Sequence, residues 1–313
     1  MKTKNAFADA FENTLALDDK IKDLRIKAFE EFRKVGIPTN KDEFWKYSDP
    51  SAILKLDLEF NDSGSTDEDN YDVILVNGKI VKSVNHCKTG TISEGVLDGD
   101  IDKNILEYKE NPFMNLNNAF AINGCYIILE PNTENEIKIL NLITNEKRQQ
   151  AVYPKFVIVA GKNSNSSIFE EVRIIGKGHN FVNSVTDFVV EDGAILEHTL
   201  LDDFAKDTYH IANICVKQGK DSNFISHNFS TGKQLARRDF NVELLDTGAN
   251  CDLNGIYLVD GDNHIDHHTT IEHKESNCTS NEHYKGILDG KSKGIFNGRI
   301  HVHPDAQKTD AIQ

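Results

Sequence analysis

Several things are scarce in this 313-residue sequence. Lys and Arg number 35 against 50 Asp and Glu, a formal net charge of -15. A clustered cationic surface gives phosphate-backbone binding most of its affinity, so this balance excludes nucleic acid as a partner. No apolar run reaches the ~20 residues a bilayer-crossing helix needs. The opening Met1-Lys2-Thr3-Lys4-Asn5-Ala6-Phe7 is not followed by a signal-peptide apolar region. Both observations argue against a membrane and predict a cytoplasmic protein. Cysteines number only five, Cys87, Cys125, Cys215, Cys251 and Cys278, with no Cys-x-x-Cys among them. That excludes a zinc ribbon and a dithiol redox pair, and predicts reduced, mostly buried thiols.

Familiar catalytic motifs are missing too. Gly286-Ile287-Leu288-Asp289-Gly290-Lys291-Ser292 is one residue short of a P-loop, and Gly176-Lys177-Gly178 lacks the third glycine of a dinucleotide fingerprint. There is no His-Glu-x-x-His, no Gly-x-Ser-x-Gly and no EF-hand loop, which removes the commonest hydrolase and calcium readings.

What is present begins with helix. Ile21, Leu24, Ala28, Phe32 and Val35 recur at spacings of three and four and predict one buried helical face. Gly36 and Pro38 then end the helix. Thr39-Asn40-Lys41-Asp42 has capping-box spacing and opens a short helix whose aromatics, Phe44, Trp45 and Tyr47, dock it on the rest of the molecule. Residues 61 to 70 carry no apolar side chain and read as a linker or mobile loop. In Val73-Ile74-Leu75-Val76-Asn77-Gly78-Lys79-Ile80-Val81, two apolar runs flank Asn-Gly, a hairpin signal. A further helical stretch is expected over residues 102 to 121.

From about residue 122 the texture becomes short β-branched and aromatic strands. Apolar pairs lead to a turn at Gly161, Gly193, Gly219 and Gly248, with Gly290 following at a longer interval. A loose repeat of about thirty residues with one turn each suggests a β-solenoid, whose coils bury their apolar face by stacking. An ordinary β-sandwich is the alternative, and the irregular period excludes a hexapeptide helix. Three regions are expected: an N-terminal helical region, 1–60; an acidic linker, hairpin and helical segment, 61–121; and a β-helix core, 122–313.

Histidine is unevenly placed. His264, His267, His268, His273, His283, His301 and His303 fall within forty residues. A strand over Asp266–His273 puts His267, Thr269, Ile271 and His273 on one face and His268, Thr270 and Glu272 on the other. His267 and His273 are the candidate metal ligands. Two ligands per face make no standard tetrahedral site, so the bland reading is a polar outer surface or a subunit contact.

The end of the chain resembles a known family, the SufB/SufD group of iron-sulfur cluster assembly proteins. The resemblance rests on Thr279-Ser280-Asn281-Glu282-His283-Tyr284-Lys285-Gly286-Ile287-Leu288, on Gly294-Ile295-Phe296-Asn297-Gly298-Arg299-Ile300, and on Ala306-Gln307-Lys308-Thr309-Asp310-Ala311-Ile312-Gln313. Pro38 and Glu43-Phe44-Trp45-Lys46-Tyr47 are similar to the SufD branch. The resemblance implies a mainly β protein with α, a right-handed parallel β-helix core preceded by an N-terminal α-helical region. It further implies a non-enzymatic scaffold subunit with no catalytic residue. The expected partners are a SufB-like subunit and a SufC-like ATPase, with a homodimer through the β-helix as a further arrangement. An iron-sulfur cluster is expected in the complex and none on this chain alone. Family members continue past the Thr-Asp-Ala block into a Cys-x-His-Gly motif and closing helices, so a β-helix cut at its C-terminal end is expected here. Two other functions compete: a β-helix enzyme acting on acidic polysaccharide, and a His-rich metal-binding protein.

Overall fold

The computed structural model describes residues 2–15, 21–106, 110–120, 123–145, 149–202 and 207–313. Residues 107–109 and 121 of the expected third helix, and the expected boundary at 121/122, lie outside the described residues. Side chains alternate across a strand, so a short strand with apolar inward positions needs neighbours on both edges and a facing sheet. The chain meets this need by coiling. Strands Cys125–Leu129, Lys155–Ala160, Asn180–Val190, Thr208–Gln218, Leu235–Leu244, His264–His273 and Lys293–Val302 stack in parallel as one sheet. Strands Glu134–Asn145, Asn165–Gly176, Ile195–Asp202, Asn223–Thr231, Asn250–Val259, Thr279–Leu288 and Asp310–Ile312 stack as a second. The chain alternates between the two sheets, giving the expected parallel β-solenoid, of about six turns. The coil length varies: Tyr209 lies beside Leu235, and Glu134 beside Asn165. Phe188, Phe224, Phe240, Leu253 and Ile271 are among the apolar side chains buried between the sheets.

The repeat is set at one corner, and glycine is only part of it. Where each coil turns from the first sheet to the second, one residue has positive φ: Asn132, Asn163, Gly193, Asp221, Gly248, Asn277 and Lys308 in succession. Asn and Asp tolerate this left-handed conformation better than other side chains, which is why they alternate with glycine there. Backbone bonds run up the corner, from Asn132 N–H to the Lys162 carbonyl at 2.9 Å, from Gly193 to Lys220 at 2.8 Å and from Asn277 to Gln307 at 2.9 Å. Gly193 and Gly248 sit on this ladder. Gly161 and Gly219 precede it by two positions, and Gly290 belongs to the opposite corner, beside Gly261.

Helices α1 (Lys2–Thr14), α2 (Lys22–Val35) and α4 (Pro112–Phe120) cover the outer face of the first sheet, while α3 (Ile92–Asp98) lies before α4. Phe11, Phe29, Phe32 and Phe120 cluster with Phe181, Tyr209, Ile211 and Leu235 of the strands. The buried stripe of α2 is Arg25, Ala28, Phe29 and Phe32, whereas Val35 is 59% exposed. The expected face is therefore rotated. Arg25 enters it because its Nε donates to the Ala119 carbonyl at 2.7 Å and its guanidinium lies over Phe11.

The segment after Asp42 is a 3-10 turn, Glu43–Trp45, with the Asp42 carboxylate accepting from Thr39 N–H at 2.7 Å. Of its aromatics only Trp45 docks, under the Arg237 guanidinium; Phe44 and Tyr47 are exposed. The polar stretch from 61 is irregular but tied down, with Glu68 paired to Arg173 at 2.6 Å. Strands Val73–Val76 and Lys79–Lys82 form the expected hairpin, with Asn77 and Gly78 both at positive φ. The α3 helix, opened by a Thr91/Glu94 capping box, went unanticipated.

Candidate functional site

Inside the solenoid a set of charged groups sits beside the apolar filling of the later coils. Asp202 ends an inward row begun by Leu196, His198 and Leu200. Its carboxylate meets Lys233 Nζ at 2.7 Å, Arg238 Nη2 at 2.8 Å and His210 Nδ1 at 3.4 Å. Arg238 also donates through Nη1 to Asn228 Oδ1 at 2.7 Å and to Ser230 Oγ at 2.6 Å. His210 Nε2 shares a hydrogen bond of 2.9 Å with Ser184 Oγ. All these groups except Ser184 are buried. Burial by itself raises the Asp202 pKa, but Lys233, His210 and Arg238 outweigh it and hold the carboxyl well below the usual carboxylate range.

The two candidate histidines lie on this inner side. The alternation along His264–His273 is as expected: His267, Thr269, Ile271 and His273 are buried, while His268 and Glu272 face outward. The bland reading of His267 and His273 as a solvated surface is therefore corrected, because their parity is that of Ile265 and Ile271, which belong to the interior. His267 stands beside Arg238 in register. Its ring lies between Tyr257 and Tyr284, at 5.4 and 5.5 Å. Gly255 leaves room for that packing, since a Cβ there would come within 2.1 Å of the Tyr284 ring. Burial, then the charge of Arg238, lowers the His267 pKa to about 3, and burial also lowers those of His210 and His273. His273 shares a 2.9 Å hydrogen bond with Ser280 Oγ across the coil.

Around Asp202 the interior is thus an ionised carboxylate with two cations and neutral imidazoles. A general base works with a pKa near the working pH, and Asp202, His210 and His267 are all displaced downward from it. The Asp202 set suits structure better than proton transfer. Asp202, Lys233 and Arg238 were not singled out from the sequence. A signal existed: Arg238 has the parity of Ala236, Phe240, Val242 and Leu244, and an ionic residue at an inward position of a solenoid strand calls for a buried partner.

The cysteines are dispersed. Burial pushes Cys125 up to about 12 and Cys251 well above the ordinary thiol range, and it raises Cys87 and Cys278. Cys215 is the half-buried one, 4.0 Å from Met114 Sδ, opening on a cavity of about 260 Å³ between α4 and the first sheet. Among the described residues, one set of three His, Cys, Asp or Glu has donor atoms within 4.8 Å of one another: Glu272, His301 and His303, on the outer face of the first sheet. Neither His267 nor His273 belongs to it.

Comparison with known proteins accounts for this architecture. A model of the SUF system FeS cluster assembly SufBD core domain matches residues 142–313, and one of the SufBD protein N-terminal region matches 1–73. The chain is 20% identical over 295 residues to the iron-sulfur cluster assembly protein SufD of Escherichia coli, covering 90% of this chain and 70% of that one. It is 24% identical over 211 residues to a SufBD family protein of Synechocystis, covering 64% of this chain and 47% of the relative. A SufBD family protein of Mycobacterium bovis is 26% identical over 192 residues, covering 55% and 48%. The chain spans about half the length of the last two. With one core-domain match over the stacked coils and another over the helical front, the chain belongs to the SufBD family of iron-sulfur cluster assembly proteins.

Proposed function

We propose that this chain is a non-enzymatic scaffold subunit of a SufBCD-type iron-sulfur cluster assembly complex in the cytoplasm. It acts through a SufB-like subunit and a SufC-like ATPase rather than by catalysing a step itself. The observation that carries the reading is the match of the SufBD core domain to the solenoid coils. The interior supports it, since the Asp202 carboxylate is engaged by Lys233, Arg238 and His210. The outer face of the second sheet supports it too. Leu201, Phe229 and Ile256 lie in register on adjacent coils, as do Leu258 and Ile287, and all five are exposed. A contiguous apolar row on a sheet face is a surface a partner subunit can cover.

Co-expression with a SufB-like subunit and a SufC-like ATPase, followed by affinity purification, tests the reading. A stable complex that assembles a cluster is expected, and Phe229→Asp together with Ile256→Asp should weaken it. Failure of the intact protein to co-purify with either subunit would remove the scaffold assignment.

A further inference from the structure

The outer face of the first sheet carries a set of donors that the scaffold reading does not use. Glu272 and His301 are register partners on adjacent parallel strands, and both point outward. His303 follows two residues later on the same side. Its backbone is fixed twice, N–H to the His273 carbonyl at 2.9 Å and carbonyl to Ala306 N–H at 3.0 Å. The His301 and His303 rings stack with centroids 4.4 Å apart. His303 Nε2 lies 3.5 Å from Glu272 Oε2, is itself out of contact with solvent, and makes no hydrogen bond. One carboxylate oxygen and two imidazole nitrogens converge within 4.8 Å. An imidazole nitrogen held without a partner toward a carboxylate is the arrangement that a cation completes.

We infer that Glu272, His301 and His303 form a binding site for a divalent first-row transition-metal ion. Two imidazoles and one carboxylate on one side of an ion suit Zn²⁺ or Fe²⁺ and leave the other positions to water or a further ligand. Mg²⁺ and Ca²⁺, which prefer oxygen, are disfavoured. The neighbouring charge is compatible with this. Lys274 Nζ lies 3.7 Å from Glu272 Oε2 but closer, at 3.1 Å, to Glu243 Oε1. Lys274 can therefore stay with Glu243 when the ion takes Glu272. The side chains of Glu272 and His303 are about one-third exposed, so the ion reaches the site without any opening of the solenoid. The site is separate from the interior network and does not depend on the scaffold reading.

Equilibrium dialysis of the metal-free protein against Zn²⁺, with Mg²⁺ in excess, tests the inference. One tightly held Zn²⁺ per chain is expected. His301→Ala with His303→Ala, and separately Glu272→Gln, should weaken it by more than the roughly 10- to 100-fold that loss of an outer partner of a metal ligand costs. His283→Ala, on the other sheet, should change nothing. Co²⁺ loading should give visible bands without thiolate charge transfer. Thermal melts of these variants in chelator should match the wild type, because the side chains are not core. Zn²⁺ binding that survives the double histidine variant, or that carries a thiolate signature in Co²⁺ spectra, would overturn the assignment.

Discussion

Asp202 and Lys233 form an ion pair of 2.7 Å inside the solenoid, with both side chains almost completely buried. Neither charge can reach water, so the pair holds only while its geometry does. Arg238 and His210 complete the shell around the carboxylate. Together they join residues of three successive coils and both sheets, and so fix how the coils register.

Asp202→Asn keeps the shape and removes the charge that Lys233 and Arg238 share. It should destabilise the fold by about 3–5 kcal/mol, the cost of stranding a buried charge. Lys233→Met should cost less, because Arg238 still neutralises Asp202, and combining the two should recover part of the loss. Urea unfolding measures all three. A wild-type midpoint for Asp202→Asn would mean that the interior is wet and the pair is screened.

His267 makes stability depend on pH. Its folded pKa is about 3, against about 6.5 in the unfolded chain. Above the unfolded value both states are neutral and the stability is fully present. As pH falls below about 6.5 the unfolded chain takes up a proton that the folded one refuses, so stability is lost at roughly 1.4 kcal/mol per pH unit down toward the folded pKa. His264, lowered to about 4 by burial and by Lys293, adds to the same window. Asp202 contributes only further down, where its carboxyl protonates. His267→Gln should flatten the profile of unfolding free energy between pH 7 and 5. Parallel profiles for the two proteins would show that His267 is not shielded.

The sequence made the solenoid legible through its apolar strands and turns, yet it concealed which residues turn. Glycine was the visible punctuation, but Asn132, Asn163, Asp221 and Asn277 adopt the same left-handed backbone as Gly193 and Gly248. The physical repeat is thus a φ value rather than a residue type. The alternation of His267 and His273 was equally legible. Their inward direction was given by Ile265 and Ile271, but a polar side chain biases the reader toward water. The Glu272, His301 and His303 set could not be read, because it needs the register that places residue 272 beside 301.

The corner ladder predicts unequal costs for one methyl group. Gly248 has φ 77°, and a Cβ there would come within 2.1 Å of Asp221 Oδ1 on the preceding coil. Gly248→Ala should therefore cost about 1–2 kcal/mol for the left-handed backbone, plus whatever Asp221 loses by moving. Lys308, at φ 57° without glycine's freedom, should gain from Lys308→Gly. Urea midpoints should move in opposite directions for the two variants. If both moved the same way, the left-handed corner would not be controlling stability.

Thiol chemistry should separate the five cysteines. Cys125, Cys251 and Cys278 are fully buried and Cys87 nearly so, whereas Cys215 is half-buried at the mouth of the cavity lined by Glu110, Asn111, Met114, Lys217, Asn241 and Glu243. A thiol reacts as its thiolate, and desolvation suppresses that form at the buried positions. Under native conditions a maleimide should label one thiol per chain rapidly, and Cys215→Ser should abolish the fast phase. The other four should react only as the solenoid opens, at a rate that rises with urea. In the proposed complex the fast phase also reports on docking: it should persist if the partner covers the Phe229 face of the second sheet, because Cys215 lies on the opposite sheet under α4. Protection of Cys215 by a SufB-like subunit alone would place the contact on the helical side and move the docking surface away from Phe229 and Ile256.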